Sequence, residues 1–474
     1  MRFSKTGRTI SLGVFARGWS QVTAMVLALV AARLLGTHDY GIYAIASIFI
    51  IILQILMYGG IYDYIVKNSN EDIDIDTCFW MNLGFSASGG LLIAGMAPVM
   101  SGVMHSPIML SLMLTLAPSA LLAAVASWQE ALLLRQGRLN TFYGATLITE
   151  TLACACGLVA LLHGVGIWSL VIYRYAQIIF AGSAYMIVLR RVPLLRWHAV
   201  TAKAAMSFAG NIYAGRMVGM VAGYSADFLI GVLVNPAAAG AYRLATRLVL
   251  GVSEVVYQPI NTMAWVHFSK AGHDEATFRK EWQSLIMALS LTVWPALAGL
   301  ALLSGSIIHL LVGGGWGAAV PVVAILAVGR MAALFQTFLE PMLGSRGRTA
   351  EILKFNVVAA VASLVLFAAF ARFGALGAAA VQVVVVVFLA ISGIVVGLRF
   401  ANWTLRDLLS TLVPGITVTL ATVAGASAVA YMPVAFHSPI LDLAVRVSAG
   451  VAGWGLALLA ILRLKIVPRR FAVL

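Results

Sequence analysis

The stretch Ala32-Arg33-Leu34-Leu35-Gly36-Thr37-His38-Asp39-Tyr40-Gly41-Ile42-Tyr43 separates two long apolar runs, at 11–35 and 41–66. Each run is long enough to cross a hydrocarbon layer of roughly 30 Å, which takes about 20 helical residues. The same alternation of apolar run and short polar link continues along the chain. Spans are expected at 11–35, 41–66, 79–101, 108–134, 143–163, 166–189, 206–234, 238–264, 284–312, 318–343, 354–372, 375–398, 408–431 and 442–464. The ninth is closed by the helix-breaking run Gly313-Gly314-Gly315.

Composition agrees. Of 474 residues, 62% are hydrophobic and 10% charged, with a mean hydropathy of +0.98. A soluble domain rarely exceeds about half apolar residues, so the solvent here is lipid. The net charge of +14 sits in links between apolar runs, not on one soluble face. It therefore speaks for membrane orientation and against nucleic acid. With a cytoplasmic N-terminus, Arg190, Arg191, Arg196, Lys203, Arg346, Arg348, Lys354, Arg463, Lys465, Arg469 and Arg470 all fall on the cytoplasmic side, as does Arg2. The opposite side holds Arg33, Arg372 and Arg446. Both termini are thus expected in the cytoplasm. The acidic run Glu71-Asp72-Ile73-Asp74-Ile75-Asp76 is cytoplasmic in this scheme, which is permitted because acidic residues weigh little in orientation.

The longest link, Lys270 to Glu281, is charged and expected as an amphipathic surface helix. No link has room for a catalytic domain, and no G-x-x-x-x-G-K-[ST] loop is present, so neither an enzyme nor an ATPase is expected. No cofactor or metal is implied: Cys154-Ala155-Cys156 lies in an apolar run without zinc-ligand neighbours. No cleavable leader is expected, because the first apolar run leads directly into a second span.

An offset of 199 residues places Arg17 on Arg216, Gly41 on Gly240, Tyr43 on Tyr242, Ala46 on Ala245, Tyr58 on Tyr257 and Ile61 on Ile260. An even number of spans lies between the matched pairs, so this is a parallel repeat, one of the recurring transporter plans. The expected domains are 1–195 (six helices), 196–400 (six helices) and 401–474 (two C-terminal helices).

The stretch from Ala32 to Tyr43 resembles the signature between the first two helices of the Wzx-type polysaccharide-biosynthesis flippases. These belong to the multidrug/oligosaccharidyl-lipid/polysaccharide exporter superfamily. Their pattern, A-R-x-L-G, two or three residues, then D-[YF]-G-x-[YF], is kept in full. The resemblance implies an all-α protein of about fourteen helices, in two pseudo-symmetric six-helix lobes around a central cavity, plus two C-terminal helices. It implies a bacterial inner-membrane flippase that moves an undecaprenyl-diphosphate-linked oligosaccharide to the periplasmic leaflet by alternating access. Membrane lipids, a glycan polymerase and glycosyltransferases are the implied partners. A multidrug or metabolite antiporter and a peptidoglycan-precursor flippase are alternatives within the same architecture.

Such a cargo needs a cationic path, and arginine suits it because its fork binds phosphate oxygens in pairs and stays ionised. A charge at mid-bilayer costs at least about 2.5 kcal/mol, so arginines in spans require a reason. The candidates for diphosphate or glycan are Arg17, Arg174, Arg216, Arg243, Arg247 and Arg330. Helical spacing groups Arg243, Arg247 and Glu254, and separately Arg216, Met220, Gly223 and Asp227. Arg174 goes with Gln177, and Arg330 with Thr337. Arg17 is near enough to its span end to snorkel, and Arg247 could pair with Glu254. Asp227, Glu254 and Glu150 could bind a coupling H+ or Na+, or serve as salt partners. Asp63 and Glu130 read as interfacial, and Trp128, Trp168 and Trp316 as belt anchors. Gly215, Gly219 and Gly223 recur every four positions, a pattern that allows close helix approach.

Overall fold

A computed structural model describes residues 5–68, 74–272, 274–431 and 438–464. The expected positions Arg2, Glu71 to Ile73, Lys465, Arg469 and Arg470 lie outside them. The described chain is all-helical, and it divides into two compact units, Met1–Gly240 and Ala241–Leu474. The first unit therefore takes in the seventh expected span, beyond the boundary at 195/196 read from the sequence.

The first unit holds α1 (Lys5–Tyr58), α2 (Ile61–Lys67), α3 (Ile75–Met104), α4 (Pro107–Leu116), α5 (Ser119–Arg135), α6 (Leu139–Leu162), α7 (Trp168–Leu189) and α8 (Ala199–Leu233). Helix α1 is broken at Gly36, whose φ of 74° and ψ of 178° interrupt the helix. A side chain at that φ would strain the backbone. Helix α2 continues after a second break at Gly59–Gly60, and Pro118 falls at the break between α4 and α5. Helices α2, α3, α5 and α8 share a core of Ile61, Ile65, Cys78, Phe79, Trp128, Leu132 and Ala209. Trp128 is only 1% exposed and donates its indole N–H to the Ile75 carbonyl. It is a core residue, not the belt anchor expected, and Trp316 at 2% is likewise buried. A large ring near a span end fits an interface or a core equally well by position; its neighbours decide.

The second unit begins within α9 (Pro236–Ala271) and continues through α10 (Glu275–Val312), α11 (Ala319–Ser345), α12 (Thr349–Phe370), α13 (Gly374–Ala401), α14 (Leu405–Ala428) and α15 (Pro439–Arg463). Helix α10 packs on α11, α13, α14 and α15, and α11 packs on α13. Helix α10 ends at Val312, before the triple glycine, as expected. The surface helix expected near Lys270 is not formed. Instead α9 runs to Ala271 and α10 starts at Glu275, with Asp274 capping it by accepting from the Ala276 N–H. The Thr277 hydroxyl, and then the Ala276 N–H, hold the Asp274 carboxyl below its usual range.

Among the described residues, ten helical stretches are long and apolar enough to cross a membrane, or eleven with the bent α8. Two of them, Ser11–Ile55 and Thr349–Ala401, enclose the breaks at Gly36 and around Gly374. Helix α8 bends by 49° between Val221 and Gly223. A Cβ on Gly215, Gly219 or Gly223 would meet nothing within 4 Å. The stripe therefore does not mediate the close helix contact expected of it. Glycine-rich helices bend readily, and the stripe runs into the bend.

Candidate functional site

In the first unit, three polar contacts lie around the break at Gly59–Gly60 and on the helices behind it. Tyr58 closes α1, so its carbonyl lacks an intrahelical partner. Arg216 of α8 supplies one: Nη1 donates to the Tyr58 carbonyl, and Nη2 donates to Asp63 Oδ2 at 2.7 Å. The Arg216 side chain is still 40% exposed. Asp63, expected as interfacial, is the counter-ion of Arg216.

Deeper in the unit, Arg174 of α7 is 8% exposed and lies within no ion pair among the described residues. Its Nη1 donates to Gln177 Oε1 at 3.0 Å, and Gln177 Nε2 donates to Glu150 Oε1 at 2.6 Å. Tyr173 donates to the other Glu150 oxygen at 3.5 Å. The Arg174 Nε is buried without an acceptor among the described residues. Glu130 of α5 accepts from the Tyr62 hydroxyl at 2.8 Å. Tyr58 lies within electrostatic range of Glu130, Arg174, Tyr185 and Glu150, so these contacts form one neighbourhood. Glu130 faces the helix bundle, which corrects its reading as interfacial.

The other candidates of this unit sit apart. Arg17 is exposed on α1, near the bond from the Trp19 indole to the Thr151 hydroxyl. Asp227 is 1% exposed, past the bend of α8.

In the second unit, Arg330 Nη2 donates to Glu254 Oε1, and Arg330 Nε to the Ser253 hydroxyl at 3.4 Å. The Arg330 guanidinium lies 5.1 Å from the centroid of the Tyr257 ring, and the Tyr257 hydroxyl donates to the Arg330 carbonyl. Gln258 donates to the second Glu254 oxygen. Glu254 thus forms an ion pair with Arg330 of α11, a partner that spacing along its own helix does not show. Arg243 and Arg247 are half-buried on α9. A largely apolar cavity of about 390 Å³ is lined by α9, α10, α14 and α15, among them Pro295, Leu300, Val447 and Trp454. Arg446 at its wall is held by Asp442 at 3.0 Å. No group of three or more His, Cys, Asp or Glu among the described residues could hold a metal.

The sequence reading missed Tyr58, Tyr62, Asp63 and Glu130 as members of this site. Tyr58 carried a signal, its repeat match to Tyr257. Each tyrosine lies beside the partly buried ionisable network of its own unit.

A model of the family described as polysaccharide biosynthesis protein matches residues 30–321. The succinoglycan biosynthesis transport protein ExoT of Rhizobium meliloti (strain 1021) is 24% identical over 361 residues, covering 73% of this chain and 72% of that protein. The lipopolysaccharide biosynthesis protein WzxC of Escherichia coli (strain K12) is 20% identical over 354 residues, covering 72% and 71%. Among solved structures, the inward closed conformation of the lipid II flippase MurJ superposes with a TM-score of 0.75 at 11% identity, covering 97% of this chain and all of that one. An inward-facing MATE transporter of the MOP superfamily superposes with a TM-score of 0.66 at 12% identity, covering 81% and 95%. At such identities the two structures speak for the fold alone.

Proposed function

The chain belongs to the polysaccharide biosynthesis protein family, whose members are multi-pass transport proteins and not enzymes, and we propose that it flips an undecaprenyl-diphosphate-linked oligosaccharide from the cytoplasmic to the periplasmic leaflet. The glycan would feed exopolysaccharide, O-antigen or capsule assembly, with a polymerase acting afterwards and glycosyltransferases before. The names of ExoT and WzxC support a surface glycan over a drug or a peptidoglycan precursor.

The observation that carries this reading is the setting of Arg216. It sits on a glycine-lined face of α8 that is open to a 4 Å radius at Gly215 and Gly219, and its carboxylate partner Asp63 is itself 30% exposed. A phosphate oxygen can therefore replace the carboxylate on the same guanidinium fork, trading one charge-assisted pair for another. Arg174 adds a second cation within the unit, and Arg243, Arg247 and Arg330 supply three in the other. The apolar cavity beside α14 and α15 suits an isoprenoid tail, which gains by leaving water and loses nothing by leaving lipid. Glu150, held by Gln177 and Tyr173, and the buried Asp227 are the acidic residues available to a coupling H+ or Na+; Glu254 serves first as the salt partner of Arg330.

Dividing Ser11–Ile55 at Gly36 and Thr349–Ala401 near Gly374, and counting the bent α8 and the charged α9, gives fourteen crossings with both termini cytoplasmic. The two lobes and C-terminal pair, 1–195, 196–400 and 401–474, belong to this reading. The test is export of surface glycan by a deletion strain carrying Arg216→Ala, Arg216→Lys or Arg247→Ala. Export should fail while the variant reaches the membrane in normal amount; full export by the Ala variants would remove these residues from the mechanism.

A further inference from the structure

Glu130, half-buried, stands out among the ionisable groups that the flipping path does not use. It lies on α5, in the stretch Pro107–Arg135 that is apolar enough to cross the membrane. It accepts from a neutral donor, the Tyr62 hydroxyl, and no cation forms an ion pair with it among the described residues. Burying a lone negative charge is costly, and uptake of a proton is the usual relief. The titratable and charged groups near it are Tyr62 of α2, Tyr58 of α1 and Tyr185 of α7, with Glu150 of α6 and Arg174 of α7 acting on the same tyrosines.

The position of Tyr62 gives such a proton a consequence. Tyr62 and Asp63 are neighbours on α2, a helix of seven residues joined to α1 through Gly59 and Gly60. Tyr62 faces Glu130, while Asp63 holds Arg216. Tyr58 and Tyr62 pack ring to ring at 5.6 Å, and the Tyr58 carbonyl is the other acceptor of Arg216. One short helix thus carries, on adjacent residues, a contact to a half-buried carboxylate and the counter-ion of a candidate phosphate-binding arginine.

We propose that Glu130 is a proton-binding site whose occupancy sets the hold of Asp63 on Arg216. An ionised Glu130 accepts a charge-assisted bond from Tyr62, about twice as strong as a neutral one, and so fixes α2 with Asp63 against Arg216. A proton arriving from water on Glu130 turns that bond into a neutral one, loosens α2 and frees the Arg216 fork for a phosphate oxygen. Loss of the proton back to water restores the hold. The inference rests on the flippase reading for the role of Arg216, but its test does not.

Protein reconstituted in liposomes is treated with phenylglyoxal at mildly alkaline pH, and modification of Arg216 is followed by peptide mass spectrometry. Glu130→Gln, which mimics the protonated carboxyl, should let Arg216 react several-fold faster than in wild type. Tyr62→Phe, which keeps the carboxyl but removes its tether, should do the same. Wild-type rates in both variants overturn the proposal. The infrared difference spectrum between acid and alkaline pH gives a second reading. A protonated-carboxyl band present in wild type and lost in Glu130→Gln is expected; the same band in the variant overturns the assignment. Neither readout uses glycan, so normal export by Arg216→Ala would defeat the flippase role of Arg216 and leave this test standing.

Discussion

Gly41 and Gly240 meet backbone to backbone, and they meet reciprocally. A Cβ on Gly41 would lie 1.8 Å from the Pro236 carbonyl oxygen and 3.2 Å from the Gly240 nitrogen. A Cβ on Gly240 would lie 2.5 Å from the Thr37 carbonyl oxygen and 3.1 Å from the Gly41 nitrogen. Thr37 and Pro236 stand at the same 199-residue offset as the two glycines. Residue i touches the mate of j while j touches the mate of i, the mark of a two-fold contact. The repeat seen in the sequence is therefore a packing relationship, and the second glycine of the Ala32–Tyr43 stretch is required by a backbone that passes where its side chain would be.

Gly41→Ala should accordingly destabilise the protein strongly, and Gly240→Ala somewhat less. Overpacking against backbone costs about 1–3 kcal/mol or more, since neither chain can step aside like a side chain. Gly215→Ala is the contrast: its Cβ meets nothing within 4 Å, and alanine favours a helix over glycine by about 1 kcal/mol. Thermal unfolding of detergent-purified protein should rank Gly215→Ala at or above wild type, then Gly240→Ala, then Gly41→Ala.

The Arg330–Glu254 pair should show coupling. Removing one partner strands the other; a fully buried pair loses roughly 3–5 kcal/mol this way. With Arg330 19% and Glu254 34% exposed, solvent screening reduces that to about 1–3 kcal/mol. Arg330→Met should be more harmful alone than in combination with Glu254→Gln, and a double-mutant cycle on unfolding temperature measures the difference. Additive effects would mean that the pair contributes nothing as a pair.

Asp74 should make the start of α3 sensitive to acid. Partial burial works to raise its pKa, but bonds from the Thr77 hydroxyl and from the Thr77 and Asp76 N–H groups outweigh it, and the carboxyl sits below its usual range. The stabilisation is then fully present above the unfolded value near 3.8 and is lost as pH falls through the lower folded value. Asp74→Ala removes the cap at any pH, at about 0.5–2 kcal/mol. Hydrogen exchange at Asp76 to Phe79 should rise in the variant at neutral pH and, in wild type, only below about pH 4.

Much of this was legible in the chain because it is written along one helix at a time. Apolar runs marked the ten or eleven helical stretches long enough to cross a membrane, the triple glycine ended α10, and i to i+3 spacing joined Arg174 to Gln177, a bond the structure contains. What stayed hidden lies between helices. Arg216 was grouped with Asp227 on its own helix, yet it pairs with Asp63, which is 153 positions away. Glu254 pairs with Arg330, 76 positions distant, which spacing along its own helix does not show. Periodicity tells which residues share a face, and it does not tell which face they meet. Glu130 and Trp128 were misplaced for the same reason: proximity to a span end suggested an interface, while α2, α3 and α7 cover them.

The role of Arg216 in flipping can be read in reconstituted liposomes carrying a fluorescent prenyl-diphosphate-linked oligosaccharide. An impermeant quencher reports how much of the probe lies in the outer leaflet with time. Wild-type protein should equilibrate the probe between leaflets, and Arg216→Ala, folded and inserted to the same extent, should leave it where it started. Equal equilibration by both proteins, or none above protein-free liposomes by wild type, would rule that role out.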